Sequence, residues 1–254
     1  HDPQRLTVCL DLDETLIHSV VADGSTTPPK PEVDSFWLTV GEHELIVLKR
    51  PGLDDFLDRA AELFNLYVFT AGTAAYATPV LDHIDSEGRL FCGRLFRRHC
   101  TMSVEGQFAK NLECVSLHEC WAESGTMPLD PATGAPLRGF VDRDGAKVGG
   151  AALAAASAAS SASVLPPDQL DMMRSVLVDN NLFSFLPQPD NGVPISSFYG
   201  AGGDEHLTTL LRVLLALAQL PDVKPVLRDV YGLHDVLRQD VSSGAAEAAQ
   251  MQLD

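Results

Sequence analysis

Apolar residues fall along this chain in two distinct periods. Residues 5–12, Arg-Leu-Thr-Val-Cys-Leu-Asp-Leu, form a short apolar run without a helical repeat, the pattern of a strand buried on both faces. The run delivers Asp11 and Asp13 at its C-terminal end. Residues 66–70 and 175–179 read the same way, the second ending on Asp179. Residues 36–40 and 45–48, joined by Gly41-Glu42-His43-Glu44, predict a hairpin with a four-residue turn. The stretch before them carries Gly24, Pro28, Pro29 and Pro31 and reads as a loop.

The second period is helical. Pro51 is placed to start a helix, along which Leu53, Phe56, Leu57, Ala60, Leu63 and Phe64 share one face. Residues 73–84 predict another, with Pro79 as a kink. Leu207, Leu210, Leu211, Leu214, Leu215 and Ala218 predict a third, capped by Asp204. This apolar stretch is shorter than the ~20 residues that span a bilayer and contains Arg212, so a core helix is expected and no membrane span. Strands alternating with helices imply an α/β fold: a central parallel sheet with flanking helices on both faces, plus a small β-hairpin flap inserted after the first strand. Ligands bind such sheets at the C-terminal strand ends, which is where Asp11, Thr70 and Asp179 fall.

The pattern lapses between about residues 113 and 174. Residues 151–163 are Ala and Ser apart from Leu153, flanked by Gly149-Gly150 and Pro166-Pro167. Without a large apolar face such a segment has little reason to pack. It reads as a low-complexity insertion within one domain spanning residues 1–254.

Charge narrows the function. With 18 Lys plus Arg against 35 Asp plus Glu, the formal net charge is −17, which disfavours direct nucleic-acid binding. A phosphorylated substrate therefore needs local positive charge, from a metal and a few cations. Cysteines at 9, 92, 100, 114 and 120 are odd in number and scattered, which points to reduced thiols in the cytosol or nucleus. The chain begins at His1 rather than Met, as a fragment does, and any upstream targeting segment lies outside it.

The aspartates carry the candidate chemistry. A tight turn after Asp11 would set Asp13 beside it, so that one carboxylate attacks phosphorus while the other moves protons. Two close carboxylates repel and call for a cation; Mg²⁺, which prefers oxygen ligands and bound phosphate, meets that need. Asp-x-Asp alone favours a plain acidic turn after a strand. Three other patterns are weaker. Cys114, His118 and Cys120 lack zinc-ligand spacing, and Asp142-Arg143-Asp144-Gly145 lacks the rest of a calcium loop. Gly200-Ala201-Gly202-Gly203 reads as a flexible loop rather than an anion site.

The longer string Leu10-Asp11-Leu12-Asp13-Glu14-Thr15-Leu16-Ile17-His18-Ser19 resembles the signature of the haloacid dehalogenase superfamily phosphatases that act on the C-terminal domain of RNA polymerase II. Further segments resemble that family in order: Lys49-Arg50-Pro51-Gly52 with Phe56-Leu57, then Val68-Phe69-Thr70-Ala71 with Tyr76. Next come Leu95-Phe96-Arg97-Arg98-His99-Cys100-Thr101 with Lys110-Asn111-Leu112, and last Val178-Asp179-Asn180 with Pro189-Asp190-Asn191. The likeness covers roughly residues 5–112 and 175–238 and leans toward the Dullard-type branch, which includes a nuclear-envelope phosphatase acting on lipin. It implies a haloacid-dehalogenase-like fold and a Mg²⁺-dependent protein serine/threonine phosphatase. Asp11 would be nucleophile and metal ligand. Asp13 would be general acid and base, lending its carbonyl to the metal. Thr70 would bind the transferring phosphoryl and Lys110 offset its charge. Asn180 would complete the metal ligands with Asp179 behind it. Arg97 would meet the substrate phosphate, Tyr76 would line the pocket, and Arg98 is left as surface. The partner implied is a phosphoserine or phosphothreonine protein, with the chain a monomer in the nucleus or cytoplasm.

The family pattern is broken in places. Asn181-Leu182 stands where Ser-Pro is usual, Asn111 follows Lys110 where Asp is usual, and Lys110 is separated from Asp179 by an unusually long connection. A second expectation belongs to another class, because related proteins serve as structural receptor subunits of the mitochondrial inner-membrane import machinery. The joint presence of Asp11, Asp13, Thr70, Lys110 and Asn180 favours the enzyme, since a pure binder has no need of all five.

Overall fold

The computed structural model describes residue 2 and residues 4–22, 33–102, 106–115 and 171–243. The loop residues 24–31, the Ala/Ser segment, and the zinc and calcium patterns around Cys120 and Asp142 lie outside the described residues.

Ten strands are described in chain order: β1 Thr7–Leu10, β2 Ile17–Val21, β3 Ser35–Val40, β4 His43–Lys49, β5 Asn65–Phe69, β6 Gly93–Leu95, β7 Thr101–Met102, β8 Phe108–Ala109, β9 Ser175–Asp179 and β10 Gly192–Pro194. The central sheet runs β10-β9-β1-β5-β6, parallel throughout. The chain moves outward from β1 through β5 to β6 and then returns to the other side of β1 as β9. The order of strands thus reverses at β1, the place where α/β sheets open a ligand crevice.

Strand side chains alternate between faces, and the two cores follow that alternation. Val8, Leu10, Leu66, Val68, Val176 and Val178 point to one face. Three helices cover it: α1 Leu53–Leu63, α2 Ala74–Ile84 and α3 His206–Leu217. Cys9, Tyr67, Phe69 and Leu177 point to the other, packing with Leu182, Phe185, Leu233 and Leu237. The last two belong to α5 Leu233–Ser243, which follows α4 Lys224–Tyr231. Gly192 admits this second layer closely: a β-carbon there would lie 2.5 Å from Leu233 and 2.7 Å from Phe185.

Three sequence expectations are corrected. The helix expected from Pro51 begins at Leu53, because Gly52 precedes it at φ 77, a left-handed conformation that glycine takes freely. On α1, Leu53, Phe56, Leu57 and Ala60 are then buried, and truncating Leu57 to Ala would cost about 2–5 kcal/mol. The hairpin turn is two residues rather than four, since Val40 pairs with His43 and Gly41 takes φ 61. The flap is also a three-stranded antiparallel sheet, β2-β4-β3, because residues 17–21 join it beside β4. Val115, at the edge of the segment expected to be an insertion, is wholly buried in the second core. Pro79 lies inside α2 without ending it. Among the described residues no helix is long and apolar enough to cross a membrane.

Candidate active site

β1 ends at Leu10, and Asp11 continues its line with its N–H on the Val178 carbonyl at 2.9 Å. The chain then folds back sharply: the N–H groups of Leu16 and Ile17 both reach the Leu12 carbonyl. Glu14 sits at φ 58, the one non-glycine residue with positive φ among those described. Such a conformation is uncommon outside glycine, asparagine and aspartate, and residues held there cluster at working sites. The turn swings Asp13 away from Asp11 toward β5 and α2.

Asp11 is buried and fully engaged. Lys110 Nζ meets its Oδ1 at 2.5 Å and Asp179 Oδ2 at 2.6 Å, with Lys110 only 1% exposed. Burial alone would push this ammonium down; Asp11 and Asp179 outweigh it and hold the group protonated, above its ordinary value. Burial and the Asp11 charge raise Asp179, with Lys110 pulling the other way. The Lys110 backbone is pinned as well, its N–H on Ser184 and its carbonyl accepting from Gln188 Nε2. Thr15 Oγ1 lies 3.0 Å from Asp11 Oδ2 and 3.2 Å from Asn180 Oδ1, so one hydroxyl sets those two groups side by side. Asn180 Nδ2 donates to Ser197 Oγ at 3.1 Å, turning the amide oxygen toward Asp11.

Asp13 is held by a different set. Tyr76 donates to its Oδ1, and Ser19 Oγ, 2.6 Å from the tyrosine oxygen, donates into that hydroxyl in turn. Thr70 Oγ1 lies 3.4 Å from Oδ2 while accepting the Gly72 N–H at 2.8 Å. Desolvation raises the Asp13 carboxyl to about 6, with the Tyr76 hydrogen bond opposing and the Asp11 charge adding to the rise. One carboxylate paired with a lysine and a second carboxyl with raised proton affinity differ in chemical capacity, the first suited to stay ionised and the second to carry a proton.

The structure thus brings together Asp11, Asp13, Thr70, Tyr76, Lys110, Asp179 and Asn180. Tyr76 does more than line a pocket, since it touches Asp13. Arg97 is exposed and contacts neither aspartate: its Nε donates to the Ala71 carbonyl at 2.6 Å and its guanidinium lies over the Phe108 ring. It therefore flanks the turn after Thr70 rather than Asp11. Thr15, Ser19, Gln188 and Ser197 have no role in the sequence reading. Thr15 and Ser19 lie inside the quoted aspartate string, but nothing in their spacing indicates which carboxyl each serves.

Among the described residues no cluster of three or more His, Cys, Asp or Glu side chains is arranged to hold a metal. The donor set here differs in kind: the Asp11 carboxylate, the Asn180 amide oxygen and the Asp13 carbonyl, to which no backbone N–H donates among the described residues. Hard oxygens from few protein groups, completed by water and phosphate, fit Mg²⁺.

A family description, NLI interacting factor-like phosphatase, matches residues 6–130 and 163–224. The chain is 28% identical over 232 residues to Nuclear envelope morphology protein 1 of Schizosaccharomyces pombe, covering 90% of this chain and 36% of that one. It is 29% identical over 232 residues to the human Carboxy-terminal domain RNA polymerase II polypeptide A small phosphatase 1, covering 89% and 65%. The chain therefore spans about a third to two thirds of the length of these curated relatives. Among solved structures, that of Fcp1, an essential RNA polymerase II CTD phosphatase, aligns at 18% identity and TM-score 0.43, covering 95% of this chain and 67% of that one.

Proposed function

The chain belongs to the NLI interacting factor-like phosphatase family, and from that premise we propose that it is a Mg²⁺-dependent protein serine/threonine phosphatase working through an aspartyl-phosphate on Asp11. The observation that carries this reading is the split between the two carboxyl groups at the strand ends. Asp11 is charge-paired with Lys110, while Asp13 is held by Tyr76 and Thr70 at a raised proton affinity.

A phosphoserine or phosphothreonine side chain enters with its phosphoryl group against Asp11 and Thr70. An Asp11 oxygen attacks phosphorus, and the bond from phosphorus to the side-chain oxygen breaks. Asp13 delivers its proton to that leaving oxygen. The product hydroxyl departs, Asp13 takes a proton from a water molecule, and that water attacks phosphorus. The bond to Asp11 breaks, inorganic phosphate leaves and both carboxyl groups are restored. Lys110 stays protonated throughout and stabilises charge that grows between Asp11 and the phosphoryl oxygens. Asp11, Asn180 and the Asp13 carbonyl would hold Mg²⁺, which when bound would offset repulsion between the carboxylate and the phosphoryl dianion. Arg97, exposed beside the turn after Thr70, would meet the substrate from the rim.

The substrate is a phosphoprotein: the RNA polymerase II C-terminal domain, as one relative's description suggests, or a lipin-like protein, as the Dullard-type resemblance suggests. A nuclear or cytoplasmic location accords with either. A receptor subunit without catalysis has no use for the buried Lys110 pairings or the Tyr76 tether, which weighs against that alternative. The test is hydrolysis of phosphoserine peptides and an aryl phosphate with and without EDTA. Activity should vanish on chelation and return with excess Mg²⁺; undiminished turnover in EDTA sinks the proposal.

A further inference from the structure

Arg50 is among the largest fully buried side chains of the described residues, 1% exposed, and its hydrogen bonds go to neither Asp11 nor Asp13. Its guanidinium donates through Nη1 to the Thr15 carbonyl at 2.9 Å and through Nη2 to the Ser196 carbonyl at 2.8 Å. The Nε and Nη2 edge pairs with both oxygens of Asp204 at 2.9 and 2.8 Å. Four of its five N–H donors are thereby used. The Phe198 ring lies beneath the group, 5.6 Å from its centroid.

The Thr15 carbonyl belongs to the turn that carries Asp11 and Asp13, and the Ser196 carbonyl to the loop whose next residue orients Asn180, which itself follows β9. Thr15 is the residue whose hydroxyl lies between Asp11 and Asn180. Ser196 precedes Ser197, whose hydroxyl accepts from Asn180 Nδ2 and orients the amide. One guanidinium therefore bridges the turn after β1 to the loop after β10. Asp204 fixes the third edge and also accepts the His206 N–H at the start of α3. Its carboxyl is drawn below its ordinary range: burial opposes ionisation, but the Arg50 hydrogen bonds prevail.

We infer that Arg50 is a positioning residue that fixes the spacing of Asp11 and Asn180 and thereby sets the affinity of the site for Mg²⁺. This rests on the reading of Asp11 and Asn180 as metal ligands. Lysine cannot replace it. A single ammonium is a point charge that cannot reach two carbonyls and both carboxylate oxygens in one plane. Groups that orient metal ligands from behind typically change metal affinity about 10–100-fold when altered.

The experiment is a calorimetric Mg²⁺ titration of the purified protein, with circular dichroism and melting curves confirming a native fold in each variant. Arg50→Lys should bind Mg²⁺ at least about tenfold more weakly. Arg50→Gln, which keeps a planar pair of donors, is the reserve should the lysine variant not fold, and the same weakening is expected. Asp204→Asn leaves the donors to Thr15 and Ser196 in place, so it should lower the melting temperature yet bind Mg²⁺ within about threefold of wild type, since it alters no group behind a ligand. A folded Arg50 variant with wild-type Mg²⁺ affinity, or equal weakening in Asp204→Asn, overturns the inference. A wild-type protein that binds no Mg²⁺ instead overturns the metal reading beneath it.

Discussion

Replacing Lys110 with methionine keeps length and apolar stem but removes the charge that faces two buried carboxylates. Asp11 and Asp179 each approach Lys110 Nζ within 2.6 Å, and both are buried, with side chains 8% and 1% exposed. In Lys110→Met they confront each other with no cation between them. Breaking a buried pair by removing one partner costs about 3–5 kcal/mol. For a domain of this size that is a fall in melting temperature on the order of 10 °C. The pH dependence has a definite sign. Without Lys110, one carboxyl keeps its proton in the folded protein at a pH where the unfolded chain has released it. The folded state then binds more protons, so stability declines as pH rises. The deficit relative to wild type should be largest near pH 8 and shrink toward pH 5. Adding Asp179→Asn should restore part of the loss, because it removes one of the two opposed charges. Melting by circular dichroism between pH 5 and 8, without metal, checks both effects. A Lys110→Met protein within about 1 kcal/mol of wild type at pH 8, a surface-pair magnitude, refutes the view that this lysine is the counter-charge of the site.

The remaining predictions concern proton transfer and the insertion. Asp13 is protonated up to about pH 6 because burial raises its carboxyl, so phosphoserine-peptide kcat/KM should fall as pH rises past that point. An aryl phosphate, whose leaving group needs little proton assistance, should give a flatter profile; parallel profiles for the two substrates contradict the acid role. Tyr76→Phe removes the donor on Asp13 and should lower kcat/KM for the peptide by about 10–100-fold while leaving the fold intact; unchanged pH–rate profiles show the tether to be idle. Replacing residues 120–170 with a short Gly/Ser linker should shift stability by no more than about 1 kcal/mol, since loop closure grows logarithmically with length. Loss of cooperative melting in that variant places the segment in the core.

The sheet's central strands were legible because burial on both faces leaves uninterrupted apolar runs: β9 is residues 175–179 as expected. The placement of Asp11, Thr70 and Asp179 at strand ends followed from topology. β2 was not legible, since Ile-His-Ser-Val-Val grades from buried to exposed along its length and has no clean alternation. β6 and β10, three residues each, are too short to produce a period. Within the site, resemblance located the acids, the lysine and the asparagine. It could not reveal that Thr15 joins Asp11 to Asn180, that Ser19 backs Tyr76, or that Arg50 pairs with Asp204 across 154 positions. Those links depend on loops closing in space, and sequence spacing carries no trace of them. The bond from Arg97 Nε to the Ala71 carbonyl is of the same kind, closing a gap of 26 positions that order along the chain does not indicate.

The central claim is that Asp11 becomes phosphorylated in each turnover. Protein mixed with excess phosphoserine peptide and Mg²⁺, then quenched in the steady state and treated with borohydride, reports this directly. Borohydride reduces an acyl-phosphate to the corresponding alcohol, and peptide mapping by mass spectrometry locates the modified residue. The account predicts reduction at Asp11, dependent on substrate and absent from Asp11→Asn, whose turnover should fall by several orders of magnitude. Reduction at Asp13 or Asp179 instead, or an Asp11→Asn protein retaining more than about a tenth of wild-type kcat, would contradict it.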